Sequence, residues 1–234
     1  MKPLSPAAKL NERNDAIRQI NEAIDRALVD PDGVGKDAIL RHAATQGVAH
    51  AAERLRRRAT LLIKRKPQER KSILAARDVL MLAVYRQAAP RGWFVAWCDG
   101  SVRPDTDRSR AGIGGILMDG EGKVVMKLSG SVEAVAAFET EVAGLAAVLN
   151  AAIDRGAERL CIYTDCVALV RHLHRRRRDP RLADVLKSMG KLPGVELRLI
   201  PRKHNQPAHA LALAAASPAS PTTETGRDDA SPKG

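Results

Sequence analysis

Four polar side chains lie where apolar segments begin or end, and they are the residues best suited to chemistry at one shared site. Asp99 follows an apolar run, Glu141 opens an apolar helical stretch, Asp165 ends a second apolar run, and His209 lies in the first turn of the last helix-like segment. An unpaired charge at the border of a core is costly. Three acids and a histidine on four successive elements therefore indicate a site for a hard divalent cation.

The elements that must position these residues follow from the hydrophobic pattern of the second half of the chain. The pattern predicts a mixed five-stranded sheet with flanking helices, an α/β fold. The predicted strands cover residues 93–98, 112–118, 124–128, 159–164 and 195–200, and the predicted helices cover about 139–153, 167–175, 181–190 and 205–216. The first strand is apolar throughout, as expected of a strand that is buried on both faces.

Asp99 and Asp165 are both predicted to end their strands. Gly100 and Ser101 would let the backbone turn away sharply and leave the Asp99 carboxylate exposed at the sheet edge. If the two strands are parallel neighbours, both carboxylates project from the same end of the sheet, where open α/β sheets place their sites.

Helical periodicity decides which way the other two candidates face. Glu141 shares a side of its helix with core residues, whereas Glu139 lies nearly opposite and is predicted to be solvated. His209 follows a predicted N-cap, Asn205, and shares a face with Ala212, Leu213 and Ala216, so its imidazole should point at the sheet. A hydrogen-bonded core histidine is the alternative interpretation of His209.

Residues 1–90 show only helical periodicity and predict a small basic helical domain or arm. A dense basic stretch within it contains Arg56, Arg57 and Arg58. These side chains could follow a phosphate backbone, or they could form a solvated helix face. A third possibility is that the arm docks on another protein or on itself. Residues 91–216 form the predicted α/β domain, and residues 217–234 are predicted to be a disordered tail.

Composition limits the classes of function. The net charge of +12 is spread over both predicted folded parts, which favours a polyanionic partner, and an aromatic content of 3% disfavours base stacking as the main mode of binding. The three cysteines lack Cys-x-x-Cys spacing and indicate a reduced, cytoplasmic protein. No apolar run is long enough for a membrane span.

Residues 93–216 resemble the type 1 ribonuclease H domain, including its reverse-transcriptase-like branch. The resemblance is carried by five segments in the family's order: FVAWCDGS at 94–101, the glycine-rich strand at 112–117, TEVAGL at 140–145, YTD at 163–165, and IPR at 200–202 followed by Asn205 and AHALA at 208–212.

The resemblance implies a metal-dependent endonuclease that hydrolyses the RNA strand of RNA–DNA hybrids. It implies two divalent cations, Mg²⁺ or Mn²⁺, with Asp99 in the bridging position and Glu141, Asp165 and His209 completing the catalytic and metal-binding set. Contacts to nucleic acid are expected from Arg202, Asn205 and the run Arg175, Arg176, Arg177 and Arg178, and His204 is a candidate for product release.

The sequence departs from the family pattern at the fourth acidic position, which is His209. An imidazole lowers the negative charge of the site and shifts metal preference towards Mn²⁺. Val167, Ala137 and Phe138 stand where polar contacts to the duplex are expected. Two further hypotheses therefore stay open: a catalytically impaired nucleic-acid-binding module, and a structure-selective nuclease acting on branched DNA or structured RNA.

Overall fold

The computed structural model describes residues 6–103, 110–133, 136–174 and 179–217. Its helices are α1 (Pro6–Val29), α2 (Val34–Gln46), α3 (Val48–Arg65), α4 (Arg70–Ala88), α5 (Ala137–Asp154), α6 (Val167–His174), α7 (Ala183–Met189) and α8 (Gln206–Ala215). Its strands are β1 (Phe94–Arg103), β2 (Arg110–Met118), β3 (Val124–Val132), β4 (Arg159–Thr164) and β5 (Gly194–Leu199). Short 3-10 turns cover Pro67–Glu69, Pro180–Leu182 and Arg202–His204.

The first part of the chain is helical, as the sequence predicts. Helix α1 ends just before the Pro31-Asp32-Gly33 sequence, where proline and glycine disfavour continued helix. Helix α3 ends before Pro67, because proline restricts the residue that precedes it and lacks an N–H. The four helices bury a common set of small and branched residues, including Ile24, Leu55 and Leu80.

The five strands form one mixed sheet with the order β3-β2-β1-β4-β5, which confirms the predicted fold class. The central strand β1 pairs antiparallel with β2 and parallel with β4. Strand β5 extends the parallel side by pairing with β4. The strand that carries Asp99 and the strand that precedes Asp165 are therefore parallel neighbours, as predicted.

Both faces of the sheet are covered. Along β1, Ala96 and Cys98 point to the face that packs against α5 and α7. Val95 and Trp97 point to the opposite face, where α8 and helices from the first part of the chain complete a second core. This alternation follows from the two-residue period of a strand, and it makes the helical segment one of the layers of the α/β fold.

Strand β1 differs from its predicted form at its carboxyl end. It does not end at Asp99 but continues to Arg103, paired with β2. Gly100 does not turn the backbone away. A Cβ on Gly100 would lie 2.5 Å from the backbone nitrogen of Glu141, so the glycine is needed for the close approach of α5 to the strand.

Two further observations concern the chain as a whole. Among the described residues, no helix is both long and apolar enough to cross a membrane. The division of the chain at residue 90 stays a prediction, and the structure adds that the core of α1–α4 continues without interruption into the sheet.

Candidate active site

Asp99 lies at the point where the pairing of β1 changes. The parallel ladder with β4 ends at the pair Trp97 and Tyr163, whereas the antiparallel pairing with β2 continues and places Asp99 opposite Gly114. The expected exposure at a sheet edge is wrong, because Asp99 is on the central strand and is only 1% exposed. Its carboxylate therefore sits in the crevice that opens where β1 and β4 separate.

Asp165 follows the last residue of β4 and reaches the same crevice. Its Oδ1 accepts a hydrogen bond from the side-chain amide of Asn205 at 2.6 Å, and the same amide donates to the carbonyl oxygen of Cys98 at 3.0 Å. Asn205 thereby joins the two strand ends. Asn205 is the N-cap residue of α8, as predicted, although its side chain makes no cap bond. The residue is completely buried, which disfavours its predicted contact with nucleic acid.

Glu141 enters the site from the first turns of α5. Its Oε2 accepts a hydrogen bond from the backbone N–H of Gly100 at 3.2 Å. Gly144, one turn later, packs directly against the backbone of Asp99, because a Cβ there would lie 2.8 Å from the Asp99 carbonyl oxygen. Glu139, predicted to be solvated, is partly buried, and its carboxylate accepts from the N–H of Ala136 at the start of the helix.

His209 reaches the site from α8. Its Nδ1 lies 2.8 Å from Oδ2 of Asp99, so an imidazole with a hydrogen on Nδ1 donates it to the carboxylate. The predicted inward orientation of His209 is correct. Its supposed companion Leu213 is exposed, and the buried face of α8 is formed instead by Ala208 and Ala212.

Helix α8 approaches β2 closely because that strand is rich in glycine. A Cβ on Gly114 would collide with the carbonyl oxygen of Ala208 and the nitrogen of Ala212, one to three residues from His209. Ser129 and Ser131 of β3 donate to carbonyl oxygens of α8 at 2.8 and 2.9 Å. The contacts of α8 with β2 and β3 thus fix the position of the imidazole.

The electrostatics show that the acids act on one another. Burial, followed by the charges of Asp99 and Asp165, raises the pKa of Glu141 to about 8. Burial also raises the pKa of Asp99, against the hydrogen bond from His209 and with the repulsion of Asp165. The buried thiol of Cys98 has its pKa raised by burial and then by the charges of Glu141 and Asp99. The three carboxylates therefore lie in one poorly solvated region and are close enough for their charges to interact.

The spacing of these groups is not that of a formed metal site. Within residues 6–103, 110–133, 136–174 and 179–217, no group of three or more histidine, cysteine or acidic side chains is arranged so that it could hold a metal ion. One oxygen of each of the three carboxylates already accepts a hydrogen bond from His209, Asn205 or Gly100.

The 202–204 turn, the 3-10 turn Arg202–His204, connects the site to the helical segment. Arg202 is exposed and its charge acts on Glu141 to lower the pKa of that group. His204, the candidate for product release, is buried and held by neighbouring side chains. It is 2% exposed, its Nδ1 lies 2.7 Å from the hydroxyl of Tyr85, and its Nε2 lies 3.5 Å from Glu53.

Glu53 and Tyr85 are site-supporting residues that the sequence interpretation missed. Glu53 contacts Lys203 at 2.9 Å, and the hydroxyl of Tyr163 on β4 donates to the carbonyl oxygen of Tyr85 at 2.9 Å. Both carry a signal in the sequence. Glu53 is a lone acid at the head of a basic run, and Tyr85 is one of only two tyrosines.

The predicted nucleic-acid contacts of α3 differ in how far they are engaged within the protein. Arg56 binds Glu53 through two nitrogens and Arg58 pairs with Asp25, so both are engaged within the protein. Arg57 also contacts Glu53 but remains 72% exposed. The predicted contacts Arg175, Arg176, Arg177 and Arg178 lie outside the described residues.

Comparison with known proteins identifies the α/β part. The model of the family described as "Reverse transcriptase-like" matches residues 97–215. The chain belongs to the reverse transcriptase-like family. The match includes all four candidate site residues of this family member, and helices α1–α4 lie outside it. The resemblance to ribonuclease H that the sequence motifs carry is thereby confirmed.

Solved structures similar to this family member are ribonuclease H domains. Ribonuclease H1 of Halobacterium salinarum is 24% identical, with 53% of this chain and 97% of that chain covered and a TM-score of 0.48. The N-terminal ribonuclease H domain of rv2228c from Mycobacterium tuberculosis is 20% identical over 53% and 98%, with a TM-score of 0.49. LC11-RNase H1 in complex with an RNA/DNA hybrid is 18% identical over 53% and 96%, with a TM-score of 0.47. No curated protein sequence matches the chain.

Proposed function

We propose that this protein is a divalent-cation-dependent endonuclease that hydrolyses the RNA strand of RNA–DNA hybrids. The observation that carries the proposal is the convergence of Asp99, Glu141, Asp165 and His209 at the crevice between β1 and β4, where burial and then the charges of Asp99 and Asp165 raise the pKa of Glu141. Membership of the reverse transcriptase-like family supports the same class of activity.

The chemistry of the donor set fits a hard divalent cation, although the side chains must move together to hold one. Three carboxylates provide the oxygen ligands that Mg²⁺ and Mn²⁺ prefer, and their mutual repulsion would be relieved by positive charge. Asp99, Glu141, Asp165 and His209 would hold two cations. When bound, such ions would activate water and stabilise the leaving oxygen of a phosphodiester.

The residues around the acids orient them. The amide of Asn205 fixes one oxygen of Asp165. The N–H of Gly100 does the same for Glu141. His209 holds Oδ2 of Asp99 and contributes no negative charge, so the site carries one charge fewer than a set of four carboxylates. We therefore expect Mn²⁺ to support activity better than Mg²⁺.

The partner in this proposal is nucleic acid, and the exposed cations near the crevice support it. Arg202 is exposed on the 202–204 turn, and its charge acts on Glu141. Lys203 of the same turn and Arg57 of α3 are also exposed, and both contact Glu53. Positive charge around a carboxylate cluster attracts a phosphate backbone without specifying sequence. A cytoplasmic location stays a prediction from the sequence.

A second candidate function is favoured by one side chain. Val167 lies two residues after Asp165 and is 50% exposed at the start of α6, so a side chain without hydrogen-bonding groups faces the space beside the site. It cannot donate to or accept from an RNA 2′-hydroxyl, the group that distinguishes RNA from DNA. A structure-selective nuclease acting on branched DNA or structured RNA is therefore the alternative.

The test is cleavage of a labelled substrate panel in Mg²⁺ and in Mn²⁺. The panel contains hybrid, double-stranded RNA, single-stranded RNA and branched DNA. We expect cleavage of the RNA strand of the hybrid, and loss of all cleavage in Asp165→Asn and Asp99→Asn with unchanged circular dichroism. Equal cleavage of hybrid and branched DNA would favour the second candidate function.

Failure of the wild type to cut any substrate, together with retained hybrid binding and no divalent-ion binding by calorimetry, would identify a non-catalytic binding module. Near-wild-type turnover in either asparagine variant would show that the site residues are assigned incorrectly.

A further inference from the structure

A basic cavity lies between α1, α2 and α3, on the part of the chain that the family match does not include. Its volume is about 290 Å³. Its lining contains five side chains that can donate from nitrogen, Arg13, His42, Gln46, His50 and Arg54, and it contains no aspartate or glutamate. A cavity with this lining has donors for an anion and no internal counter-charge.

Two nitrogens at this cavity lack an acceptor. Nε of Arg54 and Nε2 of His42 are buried without a hydrogen-bond partner in the described structure. The remaining Arg54 nitrogens contact Oδ1 of Asn21 at 3.2 Å and Nε2 of His50 at 3.4 Å, so its described contacts include no carboxylate. Buried polar groups are almost always hydrogen-bonded, so Nε of Arg54, which can only donate, indicates a missing acceptor.

The neighbouring arginines of α3 show what distinguishes Arg54. Arg56 and Arg57 both bind Glu53, and Arg58 binds Asp25. Arg54 belongs to the same basic run and instead faces two imidazoles whose rings lie 5.5 Å apart. Burial, together with the positive charges of Arg54 and His50, lowers the pKa of His42, which is the response of an imidazole in a positive environment that lacks an anion.

We propose that the cavity between α1, α2 and α3 binds a phosphate group. A phosphate offers several strong acceptor oxygens to guanidinium and imidazole donors that converge from three helices. Arg54 and His50 also line a second cavity of about 300 Å³, together with Glu53, Arg57 and Arg58. Arg57 and Arg58 already pair with Glu53 and Asp25, so Arg54 and His50 are the donors that the two cavities share.

This site is separate from the proposed nuclease site. None of the four candidate active-site residues lines either cavity. Helix α3 connects the two regions, because Glu53 is adjacent to Arg54 in the chain and contacts Lys203 on the 202–204 turn. The phosphate could come from a nucleic-acid backbone or from a free phosphate compound, and the chemistry of recognition is the same.

The test uses the full-length protein with Arg54→Met and a matched control, Arg41→Met, which removes an exposed arginine of α2 that lines neither cavity. Thermal unfolding and calorimetry are measured with inorganic phosphate against chloride of equal ionic strength. We expect phosphate to raise the Tm of the wild type and of Arg41→Met, and Arg54→Met to lose at least about tenfold in phosphate affinity. Arg54→Lys keeps the charge without the planar fork and should retain part of the response, which covers the case in which Arg54→Met does not fold.

A second measurement identifies the source of the phosphate. Hybrid binding is measured at several salt concentrations in an Asp165→Asn background, so that no cleavage occurs. If the source is a nucleic-acid backbone, Arg54→Met lowers the slope of log K against log salt by about 1. A lost phosphate response with an unchanged slope identifies a free phosphate compound. No phosphate response in the wild type, together with an unchanged slope in Arg54→Met, overturns the proposal.

Discussion

Replacement of Asn205 by alanine tests whether this buried amide holds the site together. The change removes the donor to Oδ1 of Asp165 and to the carbonyl oxygen of Cys98. A buried acceptor that loses its donor costs about 1–3 kcal/mol. The Cys98 carbonyl is in a buried strand, whereas Asp165 is half-buried and water can replace part of its bond. We therefore expect the free energy of unfolding to fall by about 2–3 kcal/mol, which lowers the Tm by about 5–10 °C for a chain of this size.

Two comparison variants separate this explanation from general damage. Asn205→Asp keeps the size of the side chain but replaces the donor by a carboxylate facing Asp165, so it should be less stable than Asn205→Ala at neutral pH. Gln206→Ala removes the next amide in the chain, which makes only a 3.4 Å contact with the carbonyl oxygen of Arg202, and should stay within about 0.5 kcal/mol of the wild type. Urea unfolding of all four proteins provides the measurement.

The same replacement should impair cleavage, because Asp165 loses the group that orients it. Partners that orient metal ligands typically contribute 10- to 100-fold in metal affinity or activity, so we expect a loss of about that size in Asn205→Ala. The reasoning is refuted if Asn205→Ala unfolds within about 0.5 kcal/mol of the wild type, or if Asn205→Asp is as stable as the wild type.

Three further predictions concern the helix that carries His209, the imidazole itself and the contact with the helical segment. Gly114→Ala should destabilise the protein by about 1–3 kcal/mol in thermal unfolding because α8 must shift, whereas Gly130→Ala on β3 meets its nearest atom at 3.8 Å and should be tolerated. His209→Asp should raise cleavage in Mg²⁺ relative to Mn²⁺, and an unchanged ratio would show that His209 does not act at the metal site. The hydrogen bond from Arg56 and the other cationic contacts of Glu53 hold the pKa of Glu53 well below its usual value of 4.5. The ionised Glu53 carboxylate therefore stabilises the fold above pH 4.5, and this stabilisation is lost as the pH falls through the lowered pKa. Glu53→Gln should therefore cost about 1 kcal/mol at pH 7, and its difference from the wild type should shrink below pH 4.5 in pH-dependent unfolding.

Local patterns were sufficient to predict the elements and the directions of the main side chains. The continuous apolar run before Asp99 predicts a strand buried on both faces, and Val95 and Cys98 are completely buried on opposite sides. The helical spacing around Glu141 and His209 predicts their inward orientation, because periodicity depends only on neighbouring residues. The four candidates therefore converge as expected.

Long-range pairing explains what the sequence did not predict. From its neighbours alone, Gly100 is predicted to form a turn. In the structure it allows the close approach of α5, which comes about 40 residues later in the chain. From its neighbours alone, Asn205 is predicted to be an N-cap. In the structure its side-chain amide also binds Cys98 on β1 and Asp165, which follows β4. From its neighbours alone, the basic run of α3 is predicted to be a nucleic-acid surface, but Arg56, Arg57 and Arg58 bind acids within the protein. In each case a contact with a residue distant in the sequence determines the role of the residue, and neighbouring residues alone do not predict that contact.

The continuous core beneath β1 and β4 has a consequence for any attempt to prepare the α/β part as a fragment. Val95, Trp97, Ile116 and Tyr163 are buried in the same apolar cluster as residues of α1–α4. A fragment that begins at residue 91 would present these side chains to water as a contiguous apolar surface, which promotes self-association. The start of the family match at Trp97 is thus a poor guide to where a stable fragment can begin, because helices α1–α4 cover an apolar face of the sheet that the α/β part leaves incompletely covered.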